Sequence, residues 1–340
     1  MQFNLTYIPM ILPSERLRTI ACVYAWIVHI FNAGYMIFTI NIVIYCSPSK
    51  VGVYKYYVVW SNFCLTIMMM LFASYEIEML GYYKQAVARG VVEFFNMPQL
   101  GIVLQNIAYA FFESNVVIVL CRFVYRWAQA TSKERIVNFM SGQWFLLLLI
   151  LLCSALICKT ISLSFNHQAN SEAFKKEFPS DDPVLKAYIM EHAINVVEPN
   201  QFDFIFQQVV FPCVILAGTF CTIQCYRMQC SPLAPRLSHT TRQMYKLLIN
   251  VLVFEQLYVV FYCIIPFMFT KYFIPPKYAA IAEFIILRAC YLYPTFVMTF
   301  TLAFYRQYRS GVVSFFGRIR VSNSLVPSVS SHHDLAMSIY

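Results

Sequence analysis

The chain has 340 residues, 60% apolar and 12% charged, with a mean hydropathy of +0.61 and a formal net charge of +9. Soluble domains carry roughly 25% charged residues, and a single soluble core stops growing near ~250–300 residues. With 31 Phe and 24 Tyr against 9 Gly, a soluble monomer would expose large apolar patches, so disordered, collagen-like and coiled-coil readings also fall and an all-α polytopic membrane protein is expected.

A spanning helix needs about 20 mostly apolar residues. After an extracellular N-terminus (1–19), seven segments qualify, at Ile20–Cys46, Tyr54–Leu80, Leu100–Val124, Trp144–Leu163, Asp203–Tyr226, Lys246–Thr270 and Ala279–Phe304. Together they predict a seven-transmembrane helix bundle over 20–304. The fourth, around WFLLLLILLCSALIC, is the most apolar and is expected to face lipid. The second, third, sixth and seventh carry Glu, Arg, Asn or Gln and are expected to turn those faces toward other helices. No repeat period is visible, and no cleavable signal peptide is expected. In the loop after the fourth segment, Asp181-Asp182-Pro183 is a helix start with an acidic cap. The following VLKAYIMEHAI predicts a short helix over the mouth of the bundle, either a lid or a packed loop. Beyond the seventh segment, YRQYRSGVVSFFGRIR (305–320) predicts an amphipathic helix on the anionic inner leaflet. The Ser-rich tail, 321–340, is expected to be disordered.

Lys and Arg fix the expected orientation. With the N-terminus out and the C-terminus in, the cytoplasmic pieces hold fourteen basic residues against two acids, Glu134 and Asp334. Ten of the remaining basic residues fall on the other side, with most of the acids, and Arg288 stays within the membrane. Asn4-Leu5-Thr6 is a glycosylation sequon, which agrees with a lumenal N-terminus. The twelve cysteines lie in helices or near their cytoplasmic ends, and the outer loops 81–99 and 164–202 contain none. Most read as small packing residues; near the inner leaflet, packing, a free thiol or acylation would each suit Cys225 and Cys230.

No histidine box, nucleophile elbow, phosphate loop or paired metal-binding motif appears, so neither catalysis nor a metal or other cofactor is expected. The basic residues are split among short loops, which excludes a nucleic-acid face. Ionisable groups at membrane depth are costly unless they face protein or water, and Glu113, Glu255 and Arg288 fall in the middle third of the bilayer. Arg288 is expected to pair with Glu113 or Glu255, as a static pair or as one that rearranges on activation. At the cytoplasmic end of the third segment, Arg122 and Arg126 share one helical face. They serve either as snorkelling anchors beside Trp127 or as contacts to a partner.

Several strings resemble the nematode seven-transmembrane chemoreceptors of the Str superfamily, G-protein-coupled serpentine receptors. Gly52-Val53-Tyr54-Lys55-Tyr56 is similar to that family's Gly-x-Tyr-Lys-Tyr, and Phe123-Val124-Tyr125-Arg126-Trp127 to its Phe-x-Tyr-Arg-Tyr. Phe139, Ser141-Gly142 and Trp144 resemble its Phe-Ser-Gly…Trp stretch. Ser238…Thr241, Glu255-Gln256 and the frame Tyr293-Pro294…Tyr308-Arg309 follow in order. Val297-Met298 stands where the family has Asp-Pro, and Gln307 where an acid often precedes Tyr-Arg, so the family's usual kink in the last helix is not implied. The resemblance implies a chemosensory receptor in the plasma membrane of a sensory-neuron cilium, signalling through a heterotrimeric G protein.

The function expected from these readings is detection of a small, odorant-like molecule. By depth and polarity, the ligand-binding candidates are Glu113, Asn115, Gln207, Tyr258, Tyr262 and Arg288. The coupling candidates are Arg122, Tyr125, Arg126 and Arg242. The alternative is a secondary transporter or ligand-gated channel using Glu113, Glu255 and Arg288 as a relay.

Overall fold

The computed structural model describes residues 10–47, 52–80, 85–95, 97–178, 183–196, 209–230, 250, 253–254, 257, 260–261 and 265–324. The protein is almost entirely helical. Four helical stretches among the described residues are long and apolar enough to cross a membrane, at Glu15–Cys46, Tyr54–Ser74, Gln99–Ala130 and Pro276–Phe304. A fifth arises if Glu134–Ser141 and Gln143–Lys159, which meet at 60°, form one broken span. This fits an all-α membrane protein.

The elements run in order: α1 (Glu15–Cys46), α2 (Tyr54–Ser74), β1 (Glu78–Leu80), β2 (Gln85–Ala88), α3 (Val91–Phe94), α4 (Pro98–Ala130), α5 (Glu134–Ser141), α6 (Gln143–Glu177), α7 (Pro183–Glu191) and β3 (Ala193–Val196). After these come α8 (Phe211–Cys230), α9 (Ile265–Phe273), α10 (Pro276–Cys290), α11 (Tyr293–Phe304) and α12 (Arg306–Ser324). Local chemistry sets several ends. Ser14 accepts from the Leu17 amide at 3.3 Å and caps α1, while Pro98 and Pro276 open α4 and α10, where a missing N–H costs nothing. The 321–324 stretch belongs to α12 rather than to the tail, and the tail beyond it lies outside the described residues.

Two boundaries differ physically from the sequence reading. The second apolar run continues to Leu80 in composition, yet its helix stops at Ser74, and Glu78–Leu80 forms a strand. The strand pairs antiparallel with β2, which pairs antiparallel with β3, so both loops at this end of the bundle share one three-stranded sheet. Gly90 (φ +60) permits the close return after β2, since a Cβ there would sit 2.8 Å from the Ser74 carbonyl. The fourth apolar run is the opposite case. Its helix runs 35 residues, through the polar stretch to Glu177, about 52 Å at 1.5 Å per residue, well beyond a bilayer core of roughly 30 Å.

Two apolar clusters mark the ends of the bundle. At the lid end, Met10, Leu80, Val87, Phe174, Leu185, Ile189, Ile194 and Ala280 pack together, so α7 is a packed cover over the helix ends. At the opposite, tail end, Val43, Tyr54, Tyr57, Tyr125, Met140, Tyr305 and Tyr308 form the second cluster. Between them, Val116 packs on Val214, Phe123 on Cys221 and Ala130 on Cys225, which sets α8 beside α4 in the same direction. The last long helix breaks between Cys290 and Tyr293, next to Pro294. Proline removes one helical donor and crowds the preceding turn. Asn32 of α1 donates to the Tyr291 carbonyl at 2.8 Å and accepts from Thr295, giving freed polar groups partners inside the bundle.

Candidate functional site

Polar assemblies interrupt the apolar interior at each end and between them. At the tail end, α4 turns Arg122, Tyr125 and Arg126 into the bundle, each about 2% exposed. Tyr54, the first residue of α2, lies over both arginines: its ring centroid is 3.3 Å from the Arg126 guanidinium carbon and 5.8 Å from that of Arg122. Tyr125 stacks on Tyr54 at 6.1 Å and meets Tyr57 edge-on at 5.9 Å. Tyr57 reaches across to donate to the Met140 carbonyl at 2.7 Å, joining α2 to α5. Tyr305, at the start of the α12 segment, closes the box beside Tyr308, which shares a 2.8 Å hydrogen bond with Ser47. Burial pushes the Tyr308 hydroxyl above its ordinary value, so it stays a neutral phenol.

Among the described residues, the Arg126 charge is held by the Tyr54 ring face and one amide rather than by a carboxylate. Arg126 donates to Gln129 at 2.6 Å, but its Nε and Nη2 have no hydrogen-bond partner, and neither do the Tyr54 and Tyr305 hydroxyls, among the described residues. Cation–π contact accounts for ~2 kcal/mol or more when desolvated, yet unmet buried donors each cost about 1–3 kcal/mol. An incoming carbonyl or carboxylate would therefore find donors already aimed and stripped of water.

The middle assembly corrects one of the two pairings expected for Arg288, that with Glu113. Glu113, 4% exposed, is engaged by Lys159 of α6, whose Nζ lies 3.1 and 3.2 Å from its two carboxylate oxygens. Arg288 does not reach it. Its guanidinium donates to the Ile77 carbonyl at 2.7 Å and lies 3.7 Å from the Phe284 ring, so it holds the turn before β1 against α10. Asn115 faces a third direction and accepts from Ser61 of α2 at 2.7 Å. Glu113, Asn115 and Arg288 thus serve three different helix contacts, not one shared pocket. Gln207, Tyr258, Tyr262, Arg242, Glu255 and Asn4 lie outside the described residues, as do Asp181 and Asp182, the expected caps of α7. A cavity of about 510 Å³ between α2, α4 and α6 is lined by Trp60, Phe111, Ser114 and Cys153 and includes neither Glu113 nor Asn115.

At the lid end, Arg18 of α1 grips Glu78 of β1 in a two-point contact of 2.7 and 3.0 Å. Tyr188 of α7 donates to the same carboxylate at 2.6 Å, and its ring lies 4.8 Å from the Arg18 guanidinium carbon. Burial, reinforced by the Glu78 charge, pushes the Tyr188 hydroxyl far above its ordinary value, so it stays a donor. His192 adds a contact to Glu93 at 3.1 Å. This clasp ties the first helix, the hairpin and the cover together in a region whose loops carry no cysteine. The described cysteines are free thiols, with Cys225 buried.

Sequence reasoning missed Lys159 because it stands at the outer end of an apolar run and was counted with the outer surface. It missed the clasp because Arg18, Glu78 and Tyr188 are far apart in sequence, on three elements. Tyr54 carried a signal, as part of the Gly-x-Tyr-Lys-Tyr string. Among the described residues, no group of three or more His, Cys, Asp or Glu is placed to hold a metal ion. No known family model matches the chain, and no curated protein matches its sequence.

Proposed function

We propose that the protein is a seven-helix chemosensory receptor that detects a small extracellular molecule and activates a heterotrimeric G protein, with its N-terminus outside and its tail end in the cytoplasm. The observation that carries the reading is the arginine box. Two cations are buried at the end of α4 under tyrosines from α2 and the α12 segment, and Arg126 has donors left over among the described residues. Such an arrangement is costly for a purely structural anchor, because exposed arginines snorkel to water at no comparable expense. It suits a contact that is covered in the resting state and satisfied by a partner once uncovered.

Two further features support this reading. α1, α2, α4 and α6 alternate direction, and α8 runs with α4. In the proposed receptor the sixth predicted segment, Lys246–Thr270, is a further crossing, which agrees with Ala280 of α10 joining the cover at the lid end. The proposed count is then seven, with the excess of Lys and Arg at the tail end. The mechanism is a population shift. A ligand preferring the conformation in which Tyr54 and Tyr305 move off Arg126 stabilises that conformation by its differential affinity. The partner then offers acceptors to Arg126, while Tyr125 keeps α4 packed on α2. The plasma membrane of a sensory cilium is the proposed location, by resemblance alone.

The test is a calcium response to a panel of small odorants in cells co-expressing the full chain with a promiscuous Gα subunit. An odorant that elicits a response through the wild type should elicit none through Arg126→Gln receptors present at equal surface density. An equal response from the variant, or odorant-driven currents that need no G protein, would overturn the reading.

A further inference from the structure

A second cavity, of about 810 Å³, opens on the outside of the bundle at the tail end, between α1, α11 and α12. That volume falls within the roughly 300–1,000 Å³ typical of small-ligand sites. Its wall is an aromatic ladder. Phe31 stacks on Tyr35 at 5.7 Å, Tyr35 on Phe38 at 6.2 Å, and Phe38 meets Phe316 of α12 at 6.0 Å. From Ile30 to Phe38 the ladder runs about 12 Å along α1. Gly34 lies within this run and keeps it open, since a Cβ there would meet nothing within 4 Å. The polar groups inside are already engaged: Tyr35 and Thr299 share a 3.1 Å hydrogen bond, and Thr299 donates to the Thr295 carbonyl. The interior therefore asks for hydrocarbon.

The rim asks for something else. Arg309 lines the mouth, exposed, and no carboxylate pairs with it among the described residues. The whole of α12, Arg306–Ser324, holds four arginines and no acid. The helix is pinned where it is because Gly311 lies directly against Cys46, with an added Cβ coming within 3.2 Å of the Cys46 Cβ. A hydrocarbon slot on the membrane face of a spanning helix, with an exposed arginine at its interfacial mouth that no described carboxylate pairs, matches one kind of membrane molecule.

We propose that the groove between α1, α11 and α12 binds an anionic phospholipid, one acyl chain lying along the Phe31–Tyr35–Phe38 ladder and the headgroup phosphate at Arg309. Only the identity of the leaflet, the cytoplasmic one, rests on the orientation proposed above; the binding itself does not depend on receptor activity. The lipid packs on α1 and α12 beside their direct contact at Gly311 and so helps to hold the α12 segment, and with it Tyr305, in place.

The test is native mass spectrometry of the full chain after exchange into micelles doped with equal phosphatidylserine and phosphatidylcholine. The wild type should retain one phosphatidylserine at least several-fold over phosphatidylcholine. Gly34→Leu, which fills the groove without a backbone clash, should lose the retained lipid. Arg309→Gln, at an exposed position that folding does not need, should retain lipid without preference for serine headgroups. Retention by Gly34→Leu equal to wild type, no preference in the wild type, or a preference that survives Arg309→Gln would each overturn the assignment. Because no G protein is involved, such a failure leaves the receptor reading to its own test.

Discussion

A carboxylate inside an apolar bundle survives only with its counter-charge beside it, since a lone charge at the bilayer centre costs roughly 2.5–3.5 kcal/mol on insertion scales. Glu113 meets that condition through Lys159, whose ammonium lies 3.1 Å away. Breaking such a pair by removing one partner typically costs about 3–5 kcal/mol. Glu113→Lys and Lys159→Glu are each expected to lower the thermal unfolding midpoint and the folded yield sharply, and the double exchange is expected to restore most of both. Combining Glu113→Lys with Arg288→Glu should restore nothing, because Arg288 is spent on the Ile77 carbonyl and the Phe284 ring. Fluorescence thermal shift in detergent distinguishes the pairings. At this scale the sequence was legible where chemistry and local geometry coincide. Arg122, Tyr125 and Arg126 share an end of one helix, so spacing alone put them together. Partner choice across helices was not legible: both Lys159 and Arg288 lie within predicted spans, and only the way α4 packs on α6 selects Lys159.

Elements here are shaped by what their ends touch more than by propensity. Hydropathy placed the long helices, because a spanning helix announces itself by length and apolarity. It misplaced the end of α2, because Ile77, Met79 and Leu80 continue an apolar run whose backbone has already turned to meet β2; strand pairing between distant loops leaves little local signal. It also anticipated the amphipathic α12 but not its docking, which depends on the absence of a side chain. Gly311 lets α12 approach α1 so closely that an added Cβ would overlap the Cys46 thiol. Gly311→Val should therefore push α12 away from α1 and expose Cys46 to alkylation, read by mass-spectrometric mapping after a brief maleimide pulse. Overpacking of this kind typically costs about 1–3 kcal/mol, small beside the stability of the bundle, so the helices themselves should stay folded. Gly317→Val is the control: its Cβ meets nothing within 4 Å, and Cys46 labelling should not change.

At the scale of the whole molecule, the two ends of the bundle are built on opposite principles. The lid end is locked: Glu78 gathers Arg18 and Tyr188 from two other elements, and the sheet joins both loops, so this end is pre-organised without a covalent bridge. The tail end is closed more loosely, because among the described residues Arg126 is held by the Tyr54 ring face and a single amide, and the Tyr54 and Tyr305 hydroxyls beside it have no hydrogen-bond partner. A bundle fixed at one end and loosely closed at the other moves mainly at the loose end, which is the geometry a signal from the fixed side requires. That argument depends on the lid end facing out. Asn4 precedes the lid end by only a few residues of chain, so in cells it should carry an N-linked glycan removable by endoglycosidase, lost in Asn4→Gln. A sequon engineered into the Ser-rich segment after Ser324 should remain bare. A glycan on the tail and none on Asn4 would invert the molecule, placing the arginine box on the outer surface, beyond reach of any G protein, and leaving the locked end to face the cytoplasm.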